Sequence, residues 1–239
     1  MKLVRKFVTI IQLGSKTGEG MENVKQVLNA AVYCCTAKAT MEKVVEYMQS
    51  EPMNLVEMVT MQTLLQISGQ EDTLDMSEFD LVFAGNKEVL ETAGIKEARY
   101  LKEADELLFV KMFLRYLHKN QKKVFVLADQ EMLLNDLLDY AKERYSGIKI
   151  VGTAVLEDEG ISDDMIINMV NGTETDCIMA FLPSPKQEEF ALRNKALFQA
   201  HMWLGLGNDV KSKMSGIGII DKFKNFLAHQ FLKNKMKEL

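Results

Sequence analysis

Apolar residues along this chain fall into short uninterrupted runs, and the runs alternate with segments of helical spacing. Ala31–Cys35, Leu55–Thr60, Phe79–Phe83, Val124–Leu127, Ile148–Val151, Cys177–Phe181 and Met202–Leu206 each read as a buried strand. Between them the spacing predicts helices. Thr40 reads as the N-cap of Met41–Gln49, with Val44, Val45 and Met48 on one face. Further helices are expected over Gln62–Ile67, from Lys87, over Ala104–His118, over Glu131–Tyr145, from Ser162 through Val170, and over Gln187–Gln199. Continuous apolar strands separated by helices predict an α/β fold, a parallel sheet with helices on both faces. Ligands of such sheets sit beyond the carboxyl ends of the strands. That rule points to Thr60 and Gln62, the Ala84–Asn86 turn with Gly85, Asp129, Thr153, the Pro183–Glu188 turn, and Gly205–Asp209.

Charge divides the chain into three parts. Residues 1–27 carry five basic and two acidic groups, and residues 210–239 carry seven lysines against Asp221 and Glu238. With a formal net charge of −5 overall, the 28–209 body is strongly acidic. An acidic body excludes a broad nucleic-acid-binding face, which needs clustered basic residues. The expected organisation is a basic segment and linker over 1–27, a domain over 28–209, and a basic amphipathic helical appendage over 210–239. In the appendage Ile220, Phe223, Phe226, Leu227 and Phe231 form a stripe surrounded by Lys222, Lys224, Lys233, Lys235 and Lys237. Such a helix suits an anionic membrane surface, a second subunit, or packing on the body. No run of 18 apolar residues occurs, so no membrane-spanning helix is expected. Three cysteines without a Cys-x-x-Cys spacing offer neither a disulfide framework nor a zinc site. The acidic clusters lack calcium-loop spacing, and no metal site is expected.

Two of the three prolines lie in Phe181-Leu182-Pro183-Ser184-Pro185-Lys186-Gln187-Glu188, after a strand and before a helix. Lys186 and Gln187 fall at the helix N-terminus, where backbone N–H groups attract anions. The competing reading is a rigid turn with a solvated lysine and a capping Gln/Glu pair. Ser184-Pro185-Lys186-Gln187-Glu188 resembles the signature of the WecG/TagA/CpsF glycosyltransferases. Lys149–Thr153 is similar to that family's strand ending in Val-Gly-Thr. Thr60-Met61-Gln62 falls at its Thr-x-Asn, and Leu204–Asp209 at its glycine-rich turn and aspartate.

The resemblance implies a Rossmann-like domain over roughly residues 30–210. It implies transfer of an N-acetyl-hexosamine, such as N-acetylmannosamine, from a UDP-sugar to a polyprenyl-diphosphate-linked sugar. The product would be teichoic acid or another cell-surface polysaccharide, made without a metal or other cofactor at the cytoplasmic face of the membrane, where the protein would sit peripherally. Carried over by position, Gln187 would contact the donor with Ser184, Lys186 and Glu188 beside it. Thr60, Gln62, Gly85, Thr153 and Gly205 would line the pocket, and Asp209 would lie near the nucleotide. Arg99 matches either the family's arginine before its central helix or a solvated helix-end arginine.

The departures concern chemistry. The family's proposed general base is an aspartate in the turn after the third strand, and Ala84 stands there. Asp80, Asp105 or Asp129 could supply a displaced carboxylate, Asp129 being best placed, although it also suits a cap for the helix from Glu131. Pro183 replaces a glycine, and no arginine follows residue 209. Two functions therefore stand open: an active transferase, or a catalytically degenerate member acting as a binding or scaffolding subunit. A homo-oligomer is compatible with either.

Overall fold

The computed structural model describes residues 23–69, 74–156, 160–208 and 210. The chain divides into two units, Met1–Asn208 and Asp209–Leu239. The N-terminal basic stretch to residue 22, the acidic cluster at Glu157-Asp158-Glu159, Asp209 and the lysine-rich appendage lie outside the described residues.

The elements run β1 (Val24–Val27), β2 (Ala30–Tyr33), α1 (Ala37–Tyr47), β3 (Asn54–Val59), α2 (Met61–Ile67), β4 (Leu81–Ala84), α3 (Lys87–Thr92), α4 (Ala98–Asp105), α5 (Leu108–Lys119), β5 (Lys123–Ala128), α6 (Glu131–Arg144), β6 (Lys149–Val155), α7 (Asp163–Asn171), β7 (Cys177–Phe181), α8 (Lys186–Asn194) and β8 (Met202–Gly205). The eight strands form one sheet in the order β1-β2-β4-β3-β8-β7-β5-β6. All neighbours pair in parallel except β1 and β2. Every residue of β7 and of β8 is buried, so both faces of the sheet are covered there. The α/β expectation and the doubly covered parallel sheet are confirmed.

Four differences from the sequence reading have physical causes. First, β1 lies ahead of residue 28 yet belongs to the sheet. It pairs antiparallel with β2 through a turn in which Leu28 takes φ 52°. A two-residue hairpin turn needs positive φ, and leucine gives no compositional sign of one. Second, α1 starts at Ala37 because Thr36, not Thr40, caps it: Thr36 Oγ1 accepts from Ala39 N, and the Thr40 hydroxyl donates back to Thr36 O. Third, the helix expected over Ala104–His118 is two helices. Leu107 adopts φ 50° between α4 and α5 while staying buried, so the apolar period runs across a real break.

Fourth, β6 continues to Val155, and Thr153 sits within it, in register with Val126, instead of beyond its end. Gly152 does not terminate the strand. It lies against the Phe125 ring, where a Cβ would come within 2.5 Å of Cε2.

The strand order places the chemistry. β1–β4 fill one half of the sheet and β5–β8 the other, and β3 meets β8 at the seam. Beneath the seam Trp203 packs fully buried against Phe190 and Phe198, with ring centroids 5.9 and 6.4 Å away. The carboxyl ends of β3, β4, β7 and β8 open side by side above it.

Candidate active site

Three helix starts border this edge. Thr60 ends the β3 segment and caps α2, its Oγ1 accepting from Thr63 N at 3.1 Å and sharing a 3.0 Å hydroxyl bond with Thr63. Gln62 is exposed on α2. Gly85 follows β4, donates to Val59 O at 2.8 Å, and lies against the Met58 side chain, 2.7 Å from a built Cβ. Asn86 then caps α3 through Val89 N. Lys186 opens α8 on the exposed side of the Pro183–Pro185 turn.

Gln187 does not face solvent. It is 1% exposed, and its Oε1 accepts from Leu182 N at 3.1 Å and Gly207 N at 3.2 Å. Its Nε2 donates to Glu57 Oε1. Glu57 sits in the middle of β3 and is fully buried. The opposite position on β8 is Gly205, where any Cβ would overlap the Glu57 carboxyl. Glycine at 205 is thus required by the acid beside it. We expect Gly205→Ala to destabilise the protein by about 1–3 kcal/mol through overpacking, read as a lower urea midpoint in chemical denaturation.

Glu188 is also fully buried, and Ser184 Oγ donates to its Oε1 at 2.6 Å. One oxygen of each acid, Glu57 Oε2 and Glu188 Oε2, forms no hydrogen bond, nor does Trp203 Nε1. Burial pushes the Glu57 carboxyl well above the ordinary range and Glu188 pushes it further. The Gln187 amide and the nearby Trp203 N–H, close enough to favour the carboxylate, act against that. Burial likewise raises Glu188, against the Ser184 hydrogen bond.

Asp129 is 5% exposed at the end of β5, and its Oδ2 accepts from Asn208 Nδ2 at 2.9 Å. It does not cap α6, whose N-cap is Gln130 without a side-chain bond. Asp129 thus ties the β5 end to the turn after β8, in which Gly207 takes φ 71°. Asp80 accepts from Leu55 N and Lys195 and is committed there, and Asp105 is exposed at the end of α4.

A pocket beside the end of β4 contains Cys35, Thr40, Met58, Ala84, Gly85 and Glu103 in its wall. Glu103 is the charged residue of that wall. Its Oε2 accepts from Ala37 N, at the start of α1, at 2.8 Å, and its Oε1 accepts from Arg99 Nε at 2.7 Å. The Arg99 side chain itself is exposed. Glu103 thus lines the same pocket as Ala84 and pairs with Arg99.

Residues 25–211 match the model of the glycosyl transferase WecG/TagA/CpsF family. The chain belongs to that family. No curated protein matches it. Membership in the WecG/TagA/CpsF family implies glycosyl transfer in cell-surface polysaccharide synthesis, with a sugar donor and an acceptor as substrates. The matched stretch covers the sheet from the second residue of β1 to the turn after β8. Among the described residues no helix is long and apolar enough to cross a membrane, and no cluster of three or more His, Cys, Asp or Glu side chains could hold a metal ion.

The structure brings Thr60, Gly85, Ser184, Lys186, Gln187, Glu188 and Gly205 to one edge of the sheet. Thr153 is in β6, the strand at the far side of the sheet, and Asp209 lies outside the described residues. Sequence reasoning missed Glu57 and Glu103. The signal for Glu57 was a charged residue inside a run otherwise read as a buried strand. Glu103 had a weaker signal, its spacing of four from Arg99.

Proposed function

We propose that this WecG/TagA/CpsF protein transfers an N-acetyl-hexosamine from a UDP-sugar to a polyprenyl-diphosphate-linked sugar, with Glu103 as the base. The observation that carries the reading is Glu103 in the pocket wall beside Ala84 and Gly85. An acceptor hydroxyl is a weak nucleophile until a positioned base takes its proton. Each Glu103 oxygen is held by one donor, and each keeps a lone pair to accept that proton. The hydroxyl oxygen bonds to the anomeric carbon, the bond from that carbon to the diphosphate oxygen breaks, and UDP leaves with the electron pair. The N-terminus of α8, with Lys186, favours the negative charge that develops on the diphosphate. The lysine-rich appendage fits docking on an anionic membrane, where such an acceptor resides.

The experiment has two parts. Calorimetry with UDP should show binding at millimolar ligand or below. Incubation with UDP-N-acetylmannosamine and a polyprenyl-diphosphate N-acetylglucosamine in detergent should yield the disaccharide lipid. UDP binding without any transfer supports the second reading, a degenerate binding subunit, for which Ala84 at the base position is the specific observation. Absence of UDP binding overturns both the donor and the site.

A further inference from the structure

The three hydrogen bonds of Gln187 fix the sense of its amide. Leu182 and Gly207 both donate backbone N–H, so the amide oxygen must lie between them. The NH2 must then face Glu57, and Glu57 must accept. A primary amide meets all three requirements. A carboxylate at 187 would set two buried acids against each other.

Glu57 lies flat across the seam because β8 offers Gly205 there and no side chain. The charged group facing Glu57 is Glu188 on α8, also an acid. β8 adds Trp203 and Gly205, and β4 adds Val82 in register; none of these titrates. We propose that Glu57 is a positioning residue, which locks the Gln187 amide and thereby holds the Leu182–Lys186 turn and the Gly207 turn against the floor of the site. Gln187 is then the keystone of the site's floor and does not touch the sugar. The clamp stands on geometry alone, while its weight in catalysis rests on the function proposed above.

Burial and Glu188 both resist ionisation of Glu57. The sign of its linkage follows. The folded state binds this proton more tightly than the unfolded chain. Its contribution is therefore fully present at acid pH and is lost as pH rises from the unfolded carboxyl value toward the raised folded one.

The test uses the full chain and reads amide hydrogen exchange by NMR at Leu182 and Gly207, with Ile178 in β7 as reference. Glu57→Leu, which removes the acceptor, is expected to speed exchange at Leu182 and Gly207 by about tenfold or more relative to Ile178. Glu57→Gln offers a carbonyl to the same NH2 and is expected to restore protection to within about threefold of the parent. A second arm follows thermal melting between about pH 5 and pH 9. The parent should lose stability with rising pH relative to Glu57→Gln. Parallel melting curves for the two proteins remove the raised carboxyl, and if Glu57→Leu does not fold, exchange in Glu57→Gln decides the clamp. Uniform acceleration across the sheet, unchanged exchange in Glu57→Leu, or failure of Glu57→Gln to restore protection overturns the proposal. Titration with UDP separates the two ideas. A parent that binds no UDP removes the donor site and leaves the exchange result to decide the clamp. A folded Glu57→Leu that binds UDP as tightly as the parent removes the clamp's role in binding.

Discussion

Gln187→Leu is expected to lower the unfolding free energy by about 3–5 kcal/mol, the combined cost of stranding several buried polar groups. Leucine matches the amide in bulk, so the loss comes from the hydrogen bonds and not from a cavity. Leu182 N–H, Gly207 N–H and Glu57 Oε1 would each lose their partner. Each stranded group costs about 1–3 kcal/mol, and sharing one site makes the sum less than additive. A domain whose whole stability is about 5–15 kcal/mol loses a large share of it. Urea denaturation checks the value, with Gln62→Leu as comparison. Gln62 is exposed on α2, and its replacement is expected to stay within about 0.5 kcal/mol of the parent. If the two variants behave alike, Gln187 is not the keystone described above.

Glu103→Gln is expected to cut sugar transfer by about 10²–10⁴-fold, the usual worth of a positioned base. The amide keeps the shape and still accepts from Ala37 N, so α1 retains its N-terminal partner. It cannot take a proton at neutral pH, and it loses the ion pair with Arg99. That pair has an exposed arginine, and solvent screens it. UDP affinity should therefore change by less than about threefold while turnover collapses, because donor binding does not call on the base. The comparison variant is Asp129→Asn. A larger turnover loss there than in Glu103→Gln would move the base to the end of β5, where Asp129 now holds Asn208.

Much of this architecture is readable from patterns that burial enforces. Cys177–Phe181 is legible to the residue because a strand covered on both faces must be apolar throughout. Ser162 reads as a cap because serine is a preferred N-cap, and its hydroxyl does accept from Met165 N. The errors fall where local signals are silent or ambiguous. The apolar period does not change across Leu107, so a left-handed residue between α4 and α5 leaves no trace in it. Gly152 looks like a stop, yet it is a space for the Phe125 ring, and only the neighbouring strand supplies that ring. The site shows the same limit more sharply. The turn before α8 announced itself through two prolines and a lysine. The burial of Gln187 did not, because its partners lie on β3, at the end of β7 and after β8. Glu103 is distant in sequence from the β4 end it adjoins, and only the packing of α4 joins them.

The seam between β3 and β8 has a consequence for the order of assembly. Asn54 pairs with Met202, and Glu57 with Gly205, so the two halves of the sheet meet through partners from opposite ends of the domain. Contacts of such long sequence separation form late, since a large loop must close before they return any stabilisation. On the ribosome β3 emerges long before β8, and its central acid stays wetted until the last strand arrives. Synthesis of the domain is therefore finished in the literal sense by the segment that seals the floor. A nascent chain truncated before Met202 would carry a complete β1–β4 half with an open, acid-bearing edge, and that edge resists premature pairing with another chain.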